Sequence, residues 1–538
     1  MSAVEERVIE TDSKVGEASI KSVIIDIALL LLSAILFALS FPNFLSRWGW
    51  FPLAYISLFP VFVVVHRSGW YRIVVYGLLY GFLSYSLFNF WLLKFHPLAI
   101  IIVPVIYAIY FLLLFPLLKL ADSLFPRYGY LIQAVIWVGY EYLKTRGFLG
   151  YSYGVIGYSQ YLFLPLIRVS DLTGVWGISF LVIFPSCWLG NTIKKGRRQL
   201  NLFFKEHRTE LFAYSALFLA AVIYGIVSTA DLSGAKKWRV ALIQHNVDPW
   251  KHDYDESLDI LIRLSEEAVK KYPHIVIWSE TAFVPSIAFH TRYRANHQYY
   301  RLIERLKEFL GRQDVPYLIG NDDAELKRVG GVERIDYNAA LLYMDGGFVQ
   351  RYRKMHLVPF TEYFPYEDIF PGIYRWLKNA DTHFWEKGED PTVFEAGGVK
   401  FSTPICFEDT FGYISRKFVL NGAQVIVNLT NDSWSKSVAA EMQHMAMSVL
   451  RAVENRRSVV RSTNGGITCT IDPNGKIEAM IDPFIQSYLV ADVPVYEEET
   501  TLYTLWGDWF GITSVLLAVM ALNAGLVYRI TRRKKIPG

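Results

Sequence analysis

The chain runs to 538 residues, 53% hydrophobic and 16% aromatic, with charged residues at only 19%. Such a composition is too apolar for an ordinary soluble enzyme, so part of the chain must lie in a bilayer. The net charge of +4 is unevenly spread, which bears on membrane topology and gives nucleic-acid binding no support. Three cysteines, Cys187, Cys406 and Cys469, are too few for a disulfide framework.

Apolar stretches of spanning length fall at Val23–Leu39, Trp50–Val65, Ile73–Leu93, Leu98–Leu118, Tyr130–Tyr142, Gly174–Leu189, Leu211–Val227 and Phe510–Tyr528. They predict an α-helical membrane bundle of about eight spans. The first ends in Ala38-Leu39-Ser40, which resembles a cleavage site, but Glu5, Glu6, Glu10, Asp12 and Glu17 precede it and make a poor leader for a signal peptide. It reads as an uncleaved span. Lysine and arginine in short loops favour the cytoplasm. The loops His66–Arg72, Lys119–Arg127 and Asn191–Arg208 and the tail Arg529–Lys535 share that side if the amino terminus is inside, and only the loop with Lys144, Arg146 and Arg168 dissents. The expected order is a cytoplasmic tail over residues 1–21, seven spans over 22–228, an extramembrane domain over 229–507 on the far side, a last span over 508–528 and a basic cytoplasmic tail over 529–538.

The extramembrane stretch alternates short β-rich runs with amphipathic helical patterns, as a layered α/β domain does. Trp238–Gln244 and His274–Trp278 read as buried strands around a helix at Leu258–Lys271, and Tyr317–Gly320 as a further strand. Asn338–Met344 and Phe348–Tyr352 flank Asp345-Gly346-Gly347, a hairpin signal. Val399–Pro404 leads into Cys406, Gln424–Asn428 is a strand and Glu441–Asn455 has helical spacing. Val459–Ser462 and Ile467–Ile471 close the set, followed by a turn at Asp472-Pro473-Asn474-Gly475.

Three side chains in this stretch can combine chemically. Cys406 is a candidate nucleophile, and a thiol with an ordinary pKa of about 8.5 needs a base or a nearby cation to act at neutral pH. Glu280 in Trp-Ser-Glu-Thr supplies the first and Lys354 in Arg-Tyr-Arg-Lys-Met-His the second. All three follow predicted strand ends, where α/β domains build sites. Each alone has a plainer reading, a core cysteine and two solvated charges. His252-Asp253-Tyr254-Asp255 lacks zinc spacing and reads as a helix start with capping acids. Gly330-Gly331 and Gly397-Gly398 read as turns, and the basic loop Lys194–Arg208 as a topology determinant.

Together the segments resemble the nitrilase superfamily, whose members carry a Glu-Lys-Cys triad. Gln244-His-Asn246, Trp278-Ser-Glu280, Tyr352-Arg-Lys354-Met-His-Leu-Val-Pro-Phe-Thr-Glu362, Ile405-Cys406-Phe407-Glu408 and Asn428-Leu-Thr-Asn431-Asp432-Ser-Trp434 follow in that family's order. With Gln443-His444, Arg461-Ser-Thr-Asn464-Gly-Gly466 and the flanking spans, nearly the whole chain is similar to the apolipoprotein N-acyltransferase family. The resemblance implies an αββα sandwich on a membrane bundle, with Glu280 as general base, Cys406 as the nucleophile and Lys354 as the cation facing the oxyanion. It gives the Phe407 N–H as a second oxyanion donor, Glu362 as the carboxylate that steadies the lysine and the leaving-group proton, and Glu408 as an activity-linked neighbour. Gln244, Asn246, Trp250, Trp434 and His444 are the expected substrate contacts. His245 replaces a smaller residue usual in the family, and Phe407 stands where a tyrosine is frequent.

The activity so implied is transfer of a fatty-acyl chain from a phospholipid, through a cysteine thioester, to the α-amine of a diacylglyceryl-cysteine on an apolipoprotein. The expected setting is the bacterial inner membrane with the catalytic domain on the periplasmic side, membrane lipid as the surrounding partner, no cofactor or metal, and a monomer. The aromatic segment Gly150–Phe163 reads as a groove wall or interfacial anchor. Two other classes compete. A membrane-tethered amidase acting on a soluble amide would share the three residues without a lipid groove, and a transporter or scaffold would show paired intramembrane charges, of which Glu141 and Asp171 are the only hints.

Overall fold

The computed structural model describes residues 3–95, 99–193, 208–247, 253–328, 332–364, 366–379 and 384–534. Most of Asn191–Arg208, with its basic run, as well as His252, Gly330 and Gly331, lies outside the described residues. Among those described, five helices are long and apolar enough to cross a membrane: Ser19–Ser40, Trp70–Phe88, Ala99–Leu124, Arg208–Val227 and Trp509–Arg532. Shorter apolar helical stretches cover Phe51–Arg67, Gly129–Lys144 and Val175–Asn191. Every apolar run read from the sequence therefore falls on helix. The second is broken into Phe51–Leu53, Ala54–Ser57 and Phe59–Arg67, because Pro52 and Pro60 occupy first turns, where a missing N–H is tolerated.

By contacts the chain divides into two units. The first comprises residues 1–141, 179–218 and 511–538. Its helices are packed through small residues: Cβ atoms at Gly77 and Gly81 would stand 2.5 and 2.6 Å from the carbonyl oxygens of Phe111 and Tyr107, so Trp70–Phe88 and Ala99–Leu124 approach backbone to backbone. A Gly-x-x-x-Gly spacing supplies this closeness in lipid, where packing replaces the hydrophobic effect. Tyr85 stacks flat on Tyr107 with ring centroids 3.4 Å apart.

The second unit, residues 142–178 and 219–510, carries two six-stranded sheets. In chain order the strands are β1 Lys236–Gln244, β2 Ile275–Trp278, β3 Tyr317–Arg328, β4 Val332–Met344, β5 Gly347–Arg353, β6 Val393–Ala396, β7 Val399–Ser402, β8 Val425–Thr430, β9 Ser458–Thr463, β10 Cys469–Ile471, β11 Ile477–Met480 and β12 Ser487–Val495. One sheet runs β12-β1-β2-β3-β4-β5 and the other β11-β10-β9-β8-β7-β6. The period-two alternation of β1 explains the layering. Trp238, Val240 and Leu242 enter the core between the sheets with Phe401, Val425 and Val427, while Ala241 and Ile243 face a second core with Leu258, Leu261, Leu302 and Leu306 of helices Tyr254–Val269 and His297–Leu310. On the second sheet lies helix Val438–Asn455, buried from Ala439 onward. The αββα sandwich expected from the resemblance is thus the observed arrangement.

Local signals account for the joints. Asp345 and Gly346 both have positive φ, 49° and 72°, as a tight two-residue hairpin requires, and β4 pairs with β5 across them. Asp253 caps its helix by accepting the Glu256 N–H at 3.2 Å, the capping role read from the sequence. Gly397 and Gly398, at φ 59° and 69°, form the turn between β6 and β7.

Candidate active site

Glu280 stands two residues beyond β2, Lys354 directly beyond β5, and Cys406 opens a 3-10 turn, Cys406–Thr410, beyond β7. The strands therefore deliver a carboxylate, an ammonium and a thiol to one end of the sandwich. Lys354 is fully buried, Glu280 is 6% exposed and Cys406 is half-buried. The Lys354 Nζ lies 2.7 Å from Glu362 Oε1 and 3.4 Å from Glu280 Oε1. Glu280 is further held by Asn338 Nδ2 at 2.7 Å on one oxygen and by the Asn431 N–H at 2.8 Å on the other. Asn338 also takes the Lys354 N–H on its carbonyl at 2.8 Å, so one residue of β4 positions both charges. The second oxygen of Glu362 accepts the Val358 N–H at 2.9 Å.

Cys406 has φ 49°, in the left-handed region that a side chain other than glycine occupies at a cost of about 1–2 kcal/mol. Its carbonyl accepts from Asn428 Nδ2 at 3.2 Å, and a bridge between Ile405 and Leu429 fixes the approach to the turn. A sharp strand-to-helix turn of this kind lifts a nucleophile clear of the sheet edge. The Phe407 N–H sits at the start of the 3-10 turn, where intrahelical acceptors are lacking by geometry.

Glu408 ties the two halves together. It is fully buried, and its carboxylate accepts from Tyr352 OH at 2.8 Å on both oxygens, from the N–H groups of Met355 and His356 at 2.8 and 2.9 Å, and from the Ile405 N–H at 2.7 Å. It thereby fixes the chain just after Lys354 to the chain just before Cys406. Burial pushes its carboxyl up to about 7, while the converging donors and Lys354 favour the charged form.

The charges shape one another. Burial raises the Glu280 carboxyl, Lys354 lowers it and Glu362 raises it again, with a net rise above the ordinary 4.5. Burial opposes the Lys354 charge, but Glu362 and then Glu280 outweigh it and keep the ammonium above its usual range. Burial and then Glu280 push the Cys406 thiol well up, against the pull of Lys354. A thiol in this setting stays protonated at rest and needs a base at the moment of attack.

The residues expected to contact substrate are differently placed. Gln244 Nε2 donates to the carbonyls of Asp482 and Ile485 at 2.9 and 3.0 Å, and Asn246 Nδ2 to that of Phe484 at 2.9 Å. Trp434 is half-buried in the short 3-10 turn Ser433–Ser435. His444 is buried between two aspartates, its Nε2 2.8 Å from Asp409 Oδ1 and its Nδ1 3.0 Å from Asp432 Oδ1. Trp250 lies outside the described residues. Beside the Cys406 turn stand Tyr151 and Tyr153 of the aromatic segment, stacked at 5.0 Å, the first with its ring centroid 6.4 Å from Phe407 and the second 6.3 Å from His444. Asn338 and Asn431, which hold Glu280, read in sequence only as a strand residue and as part of the family motif, with no role assigned. No group of metal-binding residues occurs among the described residues.

A carboxylate, ammonium and thiol on a two-sheet α/β sandwich, in a chain that also carries membrane-length helices, define the class of protein. Residues 239–501 match the family described as carbon-nitrogen hydrolase, and residues 33–188 match the apolipoprotein N-acyltransferase N-terminal domain. A Treponema denticola protein named apolipoprotein N-acyltransferase 1 is 44% identical over 534 residues, covering 95% of this chain and 98% of that protein. The protein of the same name from Treponema pallidum is 41% identical, covering 94% and 96%. The crystal structure of an amidase from Nesterenkonia sp. is similar to 50% of this chain over 94% of its own, at 18% identity and a TM-score of 0.36. The chain belongs to the apolipoprotein N-acyltransferase family.

Proposed function

We propose that the protein N-acylates lipoproteins in a bacterial cell membrane, taking the acyl chain from a phospholipid and passing it through a thioester on Cys406 to the α-amine of a diacylglyceryl-cysteine. The single observation that carries the chemistry is the buried group Glu280, Lys354 and Glu362 beside the half-buried thiol. The family and the apolar helices support the lipid setting. In the topology that the charge distribution favours, residues 22–228 and 508–528 form the membrane part, 229–507 the catalytic domain on the periplasmic side, and 1–21 and 529–538 cytoplasmic tails. A monomer suffices for this chemistry.

The reaction proceeds in two halves. Glu280 takes the thiol proton as Cys406 Sγ attacks the ester carbonyl, and the oxyanion that develops faces the Lys354 ammonium and the Phe407 N–H. Collapse breaks the carbonyl–oxygen ester bond, and the proton on Glu280 goes to the leaving alkoxide, which departs as the lysophospholipid. The acceptor amine then attacks the thioester and gives its proton to Glu280, and as the C–S bond breaks Glu280 passes that proton to Cys406 Sγ, leaving an amide and a thiol. An ester becomes an amide, so no nucleotide is consumed. Holding the chain in lipid matters energetically, since exposing sixteen carbons to water would cost on the order of 12 kcal/mol. An apolar surround also keeps water from the thioester.

The test is intact mass spectrometry of the detergent-solubilised chain after incubation with phospholipid, beside Cys406→Ala and with hydroxylamine to cleave thioesters. A hydroxylamine-labile gain of one fatty-acyl group, absent in the variant, is the expected result. Hydrolysis of a short soluble amide with no adduct and no lysophospholipid would replace this reading with a tethered amidase.

A further inference from the structure

A charged cluster lies behind the nucleophile, and none of its members takes part in the steps above. His444, on helix Val438–Asn455, points both ring nitrogens at carboxylates: Nε2 at Asp409 Oδ1, 2.8 Å away, and Nδ1 at Asp432, 3.0 and 3.1 Å from its two oxygens. An ionised carboxylate only accepts hydrogen bonds, so both nitrogens are matched only when both carry hydrogen, which makes the ring a cation. Asp409 also receives Ser448 Oγ at 2.6 Å and the Arg461 guanidinium, and Arg461 Nη2 reaches Asp432 Oδ2 at 3.4 Å. All four charged groups are at most 3% exposed. Two cations and two anions thus balance out of water, and removing any one leaves a buried charge uncompensated.

The position of the cluster gives it a consequence for the site. Asp409 belongs to the same 3-10 turn as Cys406, three residues on. Asp432 follows Asn431, whose N–H holds Glu280 at 2.8 Å. His444 spans the two, so it joins the turn that carries the nucleophile to the loop that anchors the base. We propose that His444 is a positioning residue for the Cys406 and Glu280 pair, a doubly protonated imidazolium clamp that sets the spacing between the nucleophile's turn and the base's anchor. This rests on the roles proposed for those two residues.

The groups around the ring favour the cation. Burial alone lowers the affinity of His444 for its second proton, but Asp432 and Asp409 raise it, against Arg461, to about 9. From its own helix, Glu441 stays neutral, pushed far up by burial and then by Asp432, while Ser448 is uncharged. From the aromatic segment, Tyr153 faces the ring, and its phenol is pushed well above its usual range by burial and by Asp432. From β10, Cys469 beside Arg461 is raised to about 12 by burial and so is neutral. The Cys406 thiol is likewise neutral at rest. A histidine whose folded value lies above its free value holds its clamp at low and neutral pH and loses it as the pH rises through about 9.

Two measurements on the full-length protein in detergent test this. The first titrates ring-labelled histidine by NMR from about pH 5 to about pH 10. A ring that stays cationic at about pH 8 is expected, its signal missing from His444→Gln; the absence of any such ring, or its persistence in the folded variant, would overturn the proposal. The second follows acyl-thioester formation against pH. The wild-type rate should fall past about pH 9, and His444→Gln should be about a hundredfold slower at neutral pH and lack that fall. An unchanged alkaline fall in the variant would also overturn it. If His444→Gln does not fold, His444→Asn takes its place, and a wild type with no ring cationic at about pH 8 overturns the proposal without either variant. A wild type that forms no thioester while one ring stays cationic counts against acyl transfer and leaves the cationic clamp standing.

Discussion

Lys354 is held closer to Glu362 than to Glu280, 2.7 Å against 3.4 Å. The ammonium is thus anchored more tightly by Glu362, while Glu280 also accepts from Asn338 and Asn431. A fixed cation beside a base that is not fully paired is what an oxyanion site needs, because a lysine locked onto the base would neutralise it.

Glu362→Gln should therefore slow thioester formation about 10- to 100-fold, the equivalent of one charge-assisted hydrogen bond. It should also move the acid side of the pH profile down, since the Glu362 charge is one of the causes that raise Glu280. A slowed enzyme whose acid side stays in place would mean that Glu362 acts only through packing.

Glu408→Gln should cost stability more than the size of the change suggests. Four donors, Tyr352 OH and the N–H groups of Met355, His356 and Ile405, converge on its two oxygens. An amide offers one oxygen and turns an NH₂ toward the remaining donors, leaving buried groups unpaired at about 1–3 kcal/mol each. Thermal unfolding in detergent should fall by several degrees, with Glu408→Ala worse.

Much of this could be read from the chain alone, and the rest has identifiable physical reasons. The hairpin at Asp345-Gly346 was legible because two successive positive φ angles restrict the residue types. The buried strands β1, β2, β8 and β9 were legible from their apolar runs, whereas β12 was not: Ser487–Val495 alternates weakly, contains Pro494, and gains its place only by pairing antiparallel with β1 from far along the chain. The motif order brought Glu280, Lys354 and Cys406 into view, since their types and strand-end positions are local. The bonds from Tyr352, Met355 and His356 to Glu408 and the contact of His444 with Asp409 join segments remote in sequence, and spacing carries no trace of them; nor does it show the left-handed backbone of Cys406. The aromatic segment Gly150–Phe163 was noticed for its composition, but its Tyr151 and Tyr153 stand beside Phe407 and His444 through contacts only the fold provides.

Arg456 and Asp171 form another buried pair, at 2.6 Å, with Tyr224 OH donating to the same aspartate at 3.0 Å and Arg456 Nη1 to the Ser228 carbonyl at 2.6 Å. They fasten the segment 164–173 and the end of helix Arg208–Val227 to the helix that carries His444. Arg456→Met should destabilise by about 3–5 kcal/mol because the buried Asp171 loses its guanidinium partner. Adding Asp171→Asn should recover part of that loss. A double variant as unstable as the sum of the singles would show that the two are not energetically coupled.

Glu280, the proposed base, gives the sharpest pH test. Cys406 is held protonated by burial and by Glu280, so hydroxide alone supplies little thiolate near neutrality, and the rate of thioester formation follows the fraction of Glu280 that is ionised. Burial raises the Glu280 carboxyl above 4.5, so that fraction falls, and the rate with it, as the pH is lowered through a value above the ordinary glutamate range. Lys354 stays charged throughout, held up by Glu362 and Glu280 against burial, and contributes no limb of its own. Glu280→Gln should lose about 10²- to 10⁴-fold and erase the acid limb, leaving a rate that climbs with pH as the thiol ionises unaided. A Glu280→Gln enzyme that retains the wild-type acid limb would transfer the role of base to another group, and Glu362, the nearest carboxylate to Lys354, would be the first to examine.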